Sequence, residues 1–433
     1  MTMRHVIIGS GIAGLAAAEA IRARDAAATI QMVSEEAHDF YSRPGLAYLL
    51  RGDIPEKQLQ IRSTQDLRAL LLQRLTGRVE QIFAARHEIQ VDGGRRLPYD
   101  RLLLAPGARA VPPTFPGGDL AGVVKLDGLD DTRHILKLAR RGKHAVVVGG
   151  GITALELAEG LRARGMEIFY LLRGKRYWSD VLDETESRIV MDRLRQDGID
   201  LRTETQVKEA RGAKGAVREV ETDRGDRLPC DILAVAIGVR PRVELATQSG
   251  LKVEKGIVVN EYLETSAAHV FAAGDAAQVV DPVRGALPLD VLWPTALSQG
   301  RIAGDNMAGA RQAHVKELPY NVTQLAGLRV TIIGAIGGGA RNEDLKAITR
   351  GESELWRQKA GATVVSQRGE TDRVRLVLGE RHISGALVMG DQKWSRLLQR
   401  LITVRADLAP IRETLLKDAA PLERLAELYE RIK

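Results

Sequence analysis

The chain has 433 residues, 44% of them hydrophobic and 27% charged, with a formal net charge of +7 and a pI near 9.5. That length predicts about two or three domains, and no stretch approaches the roughly 18 consecutive apolar residues of a membrane span. Cys230 is the only cysteine, which excludes an intrachain disulfide, a dithiol relay, a four-cysteine iron–sulfur cluster and a structural zinc site, because each needs more thiols than one chain supplies.

The eight histidines show no paired metal-ligand spacing, so no metal is assigned. Lys and Arg alternate with Asp and Glu along the chain, without a concentrated basic run. This argues against nucleic acid and leaves an anionic surface, an acidic protein partner or a plain solvated basic surface. The N-terminus, MTMRHVIIGSGIAG, enters a strand and a glycine turn with no apolar signal core, so the cytoplasm is the expected location.

HVIIGSGIAGLAAAEAIRAR reads as an apolar strand, a G-x-G-x-x-G turn at Gly9, Gly11 and Gly14, and an Ala-rich helix. TIQMVSEE follows as a second strand with Glu35 at its end, 21 residues after Gly14. Each part has a task. Gly9 permits the tight turn, Gly11 lets a pyrophosphate approach the backbone, and Gly14 allows the helix to pack closely on the strand. The helix N-terminus offers free N–H groups to phosphate, and Glu35 can accept hydrogen bonds from a ribose hydroxyl.

The pattern recurs in HAVVVGGGITALELAEGLRARG, with Gly149, Gly151 and Ala154 in the three glycine roles. The strand MEIFYLLR should end in an acid for NADH, yet Leu172 stands there, followed by Arg173, Lys175 and Arg176. A guanidinium pairs with a 2′-phosphate where a carboxylate repels it, so the sequence leans to NADPH while leaving NADH open; the other reading of Arg173 is a solvent-exposed cation. Two such units predict two nucleotides, one held and one visiting. Cys230, in the apolar run LPCDILAVAIG, reads as a small buried hydrophobe.

With these motifs in order, residues 4–320 resemble the FAD oxidoreductases with two dinucleotide-binding domains, the group of glutathione reductase, NADH peroxidase, the ferredoxin and rubredoxin reductases and the large subunit of assimilatory nitrite reductase. YDRLLLAPGARA (99–110) resembles the strand and turn returning from the first domain, DILAVAIGVRP (231–241) the turn leaving the nicotinamide domain, and HVFAAGDAA (269–277) the second FAD motif. In WPTALSQGRIAGDNMAG (293–309) a helix preceded by Trp293 and Pro294 is implied, its N-terminus toward the flavin pyrimidine edge.

The resemblance implies FAD contacts at Gly9, Gly11, Ile12, Ala13, Gly14, Glu35, Arg43, Pro44, Val79, Ala105, Gly107, Gly274, Asp275, Pro294 and Thr295, and NAD(P) contacts at Gly149, Gly151, Ile152, Ala154, Glu156, Arg173 and Gly238. It implies no catalytic side chain, the flavin being the redox centre. In peroxidase-like members a motif resembling S-C-G-M-Q-L-Y-L carries a reactive cysteine; set against SRPGLAYL, that position is Arg43. A guanidinium cannot accept electrons as a thiol does. Y-x-R-P with a following leucine is similar instead to the ferredoxin, rubredoxin and nitrite reductase branch, although Ala47 and Tyr48 stand where Ser-Lys is usual and Ile152 where an aromatic often covers the flavin.

The implied architecture is α/β: a discontinuous FAD domain (1–114 and 243–318), an inserted NAD(P) domain (115–242), both Rossmann-like, and an α+β C-terminal interface domain (319–433) that commonly forms a dimer. Four strands are predicted there (LRVTIIGAI, ATVVSQR, RVRLVLG, HISGALVMGD), followed by two short amphipathic helices in the last 30 residues. The implied reaction carries electrons from NAD(P)H through FAD to an external acceptor, an acidic ferredoxin or rubredoxin matching the basic charge. The alternatives are reduction of oxygen, a quinone or another small oxidant, and a non-catalytic flavoprotein subunit.

Overall fold

The computed structural model describes residues 2–281, 285–286, 288–337, 348–357, 361–416 and 422–432. They form two compact units. One comprises 1–49, 53–109 and 239–317; the other comprises 50–52, 110–238 and 318–433.

In the first unit, apolar strands build a five-stranded parallel sheet in the order Val270–Ala272, Arg101–Leu104, Arg4–Ile8, Thr29–Ser34, Leu72–Thr76. The central strands read as continuous hydrophobic runs because both faces of a parallel sheet are covered. The helix Ile12–Arg24 lies on this sheet and is buried over most of its first ten residues, which is why alanines fill it. A second helix, Trp293–Met307, packs against it through Gly300 and Gly304. A Cβ at either glycine would fall on the backbone of Ala13 or Ala17, so the two helices approach at backbone distance.

The expected helix over 293–309 is present, with one difference. Trp293 and Pro294 belong to its first turn rather than preceding it, since Pro is tolerated where the N–H has no intrahelical partner.

The second unit opens with another parallel sheet, ordered Asp200–Arg202, Glu167–Leu171, His144–Val148, Ile232–Val235, Val123–Val124. Its glycine turn leads into the helix Ile152–Ala163. The C-terminal part is an antiparallel sheet, ordered Tyr320–Leu325, Leu328–Gly334, Ile383–Met389, Asp372–Leu378, Ala362–Arg368. The four expected strands are all there; Tyr320–Leu325 is an addition. Leu398, Leu401, Leu415 and Leu425, from helices Ser395–Thr403, Arg412–Leu415 and Glu423–Ile432, are buried in the core over this sheet. The amphipathic tail therefore covers a core, and its first expected helix is a single turn.

Within this unit the C-terminal sheet grips the start of the helix Glu184–Gln196. Asp183 and Glu186 form a capping box there. Arg373 and Arg375, two residues apart and so on one face of their strand, both reach it: Arg373 pairs with Asp183 at 2.6 Å, and the fully buried Arg375 donates to Glu186 at 2.9 and 3.0 Å. Arg375 also donates to the carbonyls of Ile336 (2.6 Å) and Val181 (2.7 Å). Removing one member of a buried pair strands the other. Arg375→Ala is therefore expected to lower the unfolding free energy by about 3–5 kcal/mol, measured by urea unfolding followed through tryptophan fluorescence; a loss below about 1 kcal/mol, the range of an exposed pair, would contradict this account.

Candidate dinucleotide-binding sites

In the first unit the turn at Gly9 depends on a missing side chain. Gly9 has φ +107°, and a Cβ there would strike the Ala105 carbonyl. Gly14 has its Cβ direction filled by the Gly9 carbonyl. Gly11 differs: nothing lies within 4 Å of where its Cβ would be, so the backbone is open at the start of the helix. Ile12 and Ala13 are buried in the first turn of that helix, whose leading N–H groups face the same opening. Glu35 is exposed at the end of the second strand, 3.6 Å from Arg78 and 3.4 Å from Arg242.

The other residues assigned to FAD fall in the same unit. Ala105 and Val79 are buried, and Gly107 (φ +71°) turns the chain after Arg101–Leu104. Gly274 (φ +77°) donates its N–H to Gln299 at 2.8 Å, and its open Cα face lies 3.1 Å from the Ala13 Cβ when a Cβ is built on it. Asp275 follows within a one-turn helix, and the closeness of Gly274 to Ala13 brings the Ala-Gly-Asp turn to the helix that follows the glycine turn.

Arg43 is held at 2.6 Å by Glu36 and at 3.0 Å by the Tyr41 hydroxyl, and the adjacent Pro44 is exposed. Although burial lowers its pKa, Tyr41, Glu36 and Asp275 together raise it. Arg43 is thus a cation fixed by Glu36 and Tyr41. Pro294 and Thr295 open the helix Trp293–Met307; the Thr295 hydroxyl lies 3.4 Å from Asp290, which pairs with Lys316 at 3.1 Å.

In the second unit Gly149 (φ +142°) repeats Gly9: a Cβ would strike the Ala236 carbonyl, and Ala154 packs 3.0 Å from it. Gly238 (φ +114°) turns the chain out of Ile232–Val235. Arg173 and Lys175 are exposed beyond the strand Glu167–Leu171, and Leu172 is buried, so cations rather than a carboxylate stand at the strand end.

Gly151 does not repeat Gly11. Where its Cβ would be, the Thr349 side chain is in contact, its hydroxyl 2.7 Å away. Ile152 is buried beside Gly351. Glu156, partly buried on the same helix, has its pKa pushed up to about 8 by burial and then by the Glu159 carboxylate, against the pull of Arg350 and Arg51. Cys230 is buried, and burial pushes its thiol up to about 12.

Sequence reading missed Gln299, Asp290 and Lys316 in the first unit and Thr349, Arg350 and Glu352 in the second. The Gly300–Gly304 spacing marks the helix that carries Gln299, but nothing marks Asp290 or Lys316; the second group had no signal, because its members lie some two hundred residues beyond the turn they approach.

Two glycine-turn cradles, each on its own parallel sheet, define the class of two-dinucleotide oxidoreductases. Residues 3–300 match the family described as pyridine nucleotide-disulphide oxidoreductase. The chain is 32% identical over 333 residues to the ferredoxin–NAD(+) reductase component of the biphenyl dioxygenase system of Paraburkholderia xenovorans, covering 77% of this chain and 81% of that protein. It is 32% identical over 360 residues to an NADH oxidase of Methanocaldococcus jannaschii, covering 80% and 78%. A solved putidaredoxin reductase in covalent complex with putidaredoxin shares the fold, with a TM-score of 0.85 at 24% identity over 99% of each chain. The chain belongs to the pyridine nucleotide-disulphide oxidoreductase family and is an FAD-dependent NAD(P)H oxidoreductase. Among the described residues no helix is long and apolar enough to cross a membrane.

Two outcomes follow from the geometry. Gly11 has an extended backbone (φ −76°, ψ −174°) that alanine adopts without strain. Gly11→Ala should keep the melting temperature of the FAD-free chain while placing a methyl in the cradle; the affinity of that chain for FAD, titrated by flavin fluorescence, should fall at least about tenfold, the equivalent of 1.4 kcal/mol. Gly300→Ala should lower both quantities, because its methyl meets backbone.

For Glu156, a carboxyl with a folded pKa of about 8 and an ordinary value of 4.5 keeps, between those values, a proton that the unfolded chain has released. Stability therefore falls as pH rises between those values. Glu156→Gln should melt higher than the parent, by a margin that grows across that window and is constant above it, as scanning calorimetry at several pH values will report.

Proposed function

We propose that the protein passes electrons from NAD(P)H to an external acceptor, a small acidic redox protein of the ferredoxin or rubredoxin kind. The observation that carries this reading is the absence of an internal relay: Arg43 occupies the place of a reactive thiol, and the chain's sole cysteine is buried with its pKa near 12. Bound FAD supplies hydride acceptance from a nicotinamide and release of the electrons to a partner. The name of the biphenyl dioxygenase relative, a ferredoxin–NAD(+) reductase component, supports the choice of acceptor.

The residues have assigned tasks in this reading. Gly9, Gly11 and Gly14 admit the FAD pyrophosphate to the helix N-terminus, and Glu35 accepts from the ribose. Asp275 orients the ribityl chain. Arg43, fixed by Glu36 and Tyr41, and the N-terminus of the helix Trp293–Met307 both favour negative charge on the reduced ring.

Gly149, Gly151, Ile152, Ala154, Glu156 and Gly238 form the nicotinamide side, with Arg173 toward the adenosine end. With Leu172 in place of an acid and Arg173 and Lys175 exposed, NADPH is the favoured donor. Residues 319–433 are assigned to a homodimer contact.

A second reading, reduction of oxygen or a quinone, is favoured by the similarity to an NADH oxidase. Anaerobic mixing with NADPH or NADH should bleach the flavin, and ferredoxin or rubredoxin should restore its colour. With the right protein acceptor the rate should fall as ionic strength rises, because salt screens opposite charges, whereas a neutral quinone should show no such dependence. Arg173→Glu should lower kcat/KM for NADPH about ten- to a hundredfold, the equivalent of a charged hydrogen bond, with little change for NADH. A flavin bleached by neither nucleotide would remove the reductase reading.

A further inference from the structure

The two cradles differ at one point. At Gly11 the face that a pyrophosphate approaches is open; at Gly151 that face is filled by Thr349. Thr349 comes from the C-terminal part of the same unit, about two hundred residues further along the chain. Its hydroxyl sits 2.7 Å, and its Cβ 3.0 Å, from where a Gly151 Cβ would be.

The residues after Thr349 are tied to other parts of the same unit. Arg350 donates to Asp127 at 2.9 Å. Gly351 accepts from the Asn321 side chain at 3.0 Å. Glu352, 1% exposed, accepts from the Trp178 indole N–H at 2.5 Å and from Arg357 at 2.6 Å. Trp178 lies two residues beyond Arg176, the last cation of the loop assigned to the adenosine end. The segment therefore touches the glycine turn through Thr349 and, through Glu352, the buried Trp178 on the stretch that follows the strand Glu167–Leu171.

We propose that Thr349–Glu352 is a strap that occupies the pyrophosphate face of the second cradle, so that the nicotinamide nucleotide enters by displacing it; this rests on reading the Gly149–Ala154 turn as the nicotinamide site. A pyrophosphate and the Thr349 side chain cannot both lie against Gly151. A nucleotide shifts the strap only because it binds the displaced form better than the seated one.

The ion pairs allow the exchange. Asp127 is also held by Lys125 at 2.8 Å and by the Ala110 N–H at 2.9 Å, so it keeps partners when Arg350 leaves. Arg350 is then free to follow the negative charge that arrives. The apparent affinity for nucleotide is reduced by the fraction of molecules with the strap seated, and the C-terminal part of the unit acquires a say in when the donor binds.

The test uses the full-length, FAD-loaded protein and ADP-ribose, which carries the pyrophosphate and adenosine without the nicotinamide. Thr349→Ala removes the methyl and hydroxyl that meet Gly151, and Asn321→Ala removes the donor that holds the Gly351 carbonyl. Both should bind ADP-ribose more tightly than the parent in calorimetric titration, by about three- to tenfold for a strap seated in most molecules. Amide hydrogen exchange at 348–357 in the parent should speed up when ADP-ribose is added.

If Thr349→Ala binds no more tightly than the parent, or exchange slows on binding, Thr349 lines the site rather than blocking it, and the strap is refuted while the nicotinamide site stands. If ADP-ribose binds neither parent nor variant, and neither NADH nor NADPH bleaches the flavin, the site and the strap fall together. Retained flavin colour in each variant shows that it has folded.

Discussion

At Gly9 and again at Gly149 a strand meets a neighbouring backbone with no room for a side chain, and everything downstream is placed by that contact. The Ala105 carbonyl lies where a Gly9 Cβ would be, and the Ala236 carbonyl where one at Gly149 would be. Only with the chain in this positive-φ turn does the next helix begin with its N–H groups aimed out of the sheet. The rest of the first unit builds on the same closeness. Gly274 rests on Ala13, and Gly300 and Gly304 rest on Ala13 and Ala17, so the glycine turn, the Ala-Gly-Asp turn and the helix Trp293–Met307 share one seam of small residues.

The second unit is secured by a different force. Arg375 is buried and satisfied by Glu186 and two backbone carbonyls, and Arg373 by Asp183. Such pairs add little net stability when intact and cost much when broken, so they fix an arrangement more than they strengthen it. Here they fix which face of the C-terminal sheet meets the helix Glu184–Gln196.

The legible parts of the chain were those whose physics is local. Strand, glycine turn, helix and strand follow one another within about thirty residues, and each step imposes a residue type, so both cradles could be located from the sequence. The C-terminal strands were readable from their apolar runs, and the tail from its leucine spacing. Tyr320–Leu325 was not, since YNVTQL is mixed in character and becomes a strand by pairing with Leu328–Gly334.

Nor were the long-range ties readable. Arg375 and Glu186 are 189 residues apart, and Arg350 and Asp127 are 223 apart. Nothing in either local sequence marks the partner. Glu156 was visible as a helix residue, but the burial that lifts its pKa comes from tertiary packing.

The order in which the chain visits its two units has a consequence for biosynthesis. The edge strand Val270–Ala272 pairs with Arg101–Leu104, and the helix that seals Ala13 and Ala17 begins only at Trp293, yet residues 110–238 belong to the other unit. During translation, then, the N-terminal segment emerges with one side of its sheet unpaired and its alanine helix uncovered, and it must wait for more than a hundred intervening residues to leave the ribosome. The usual N-to-C order of domain maturation is interrupted in this protein, and the exposed alanine seam is a surface that a chaperone or a premature second chain could meet first.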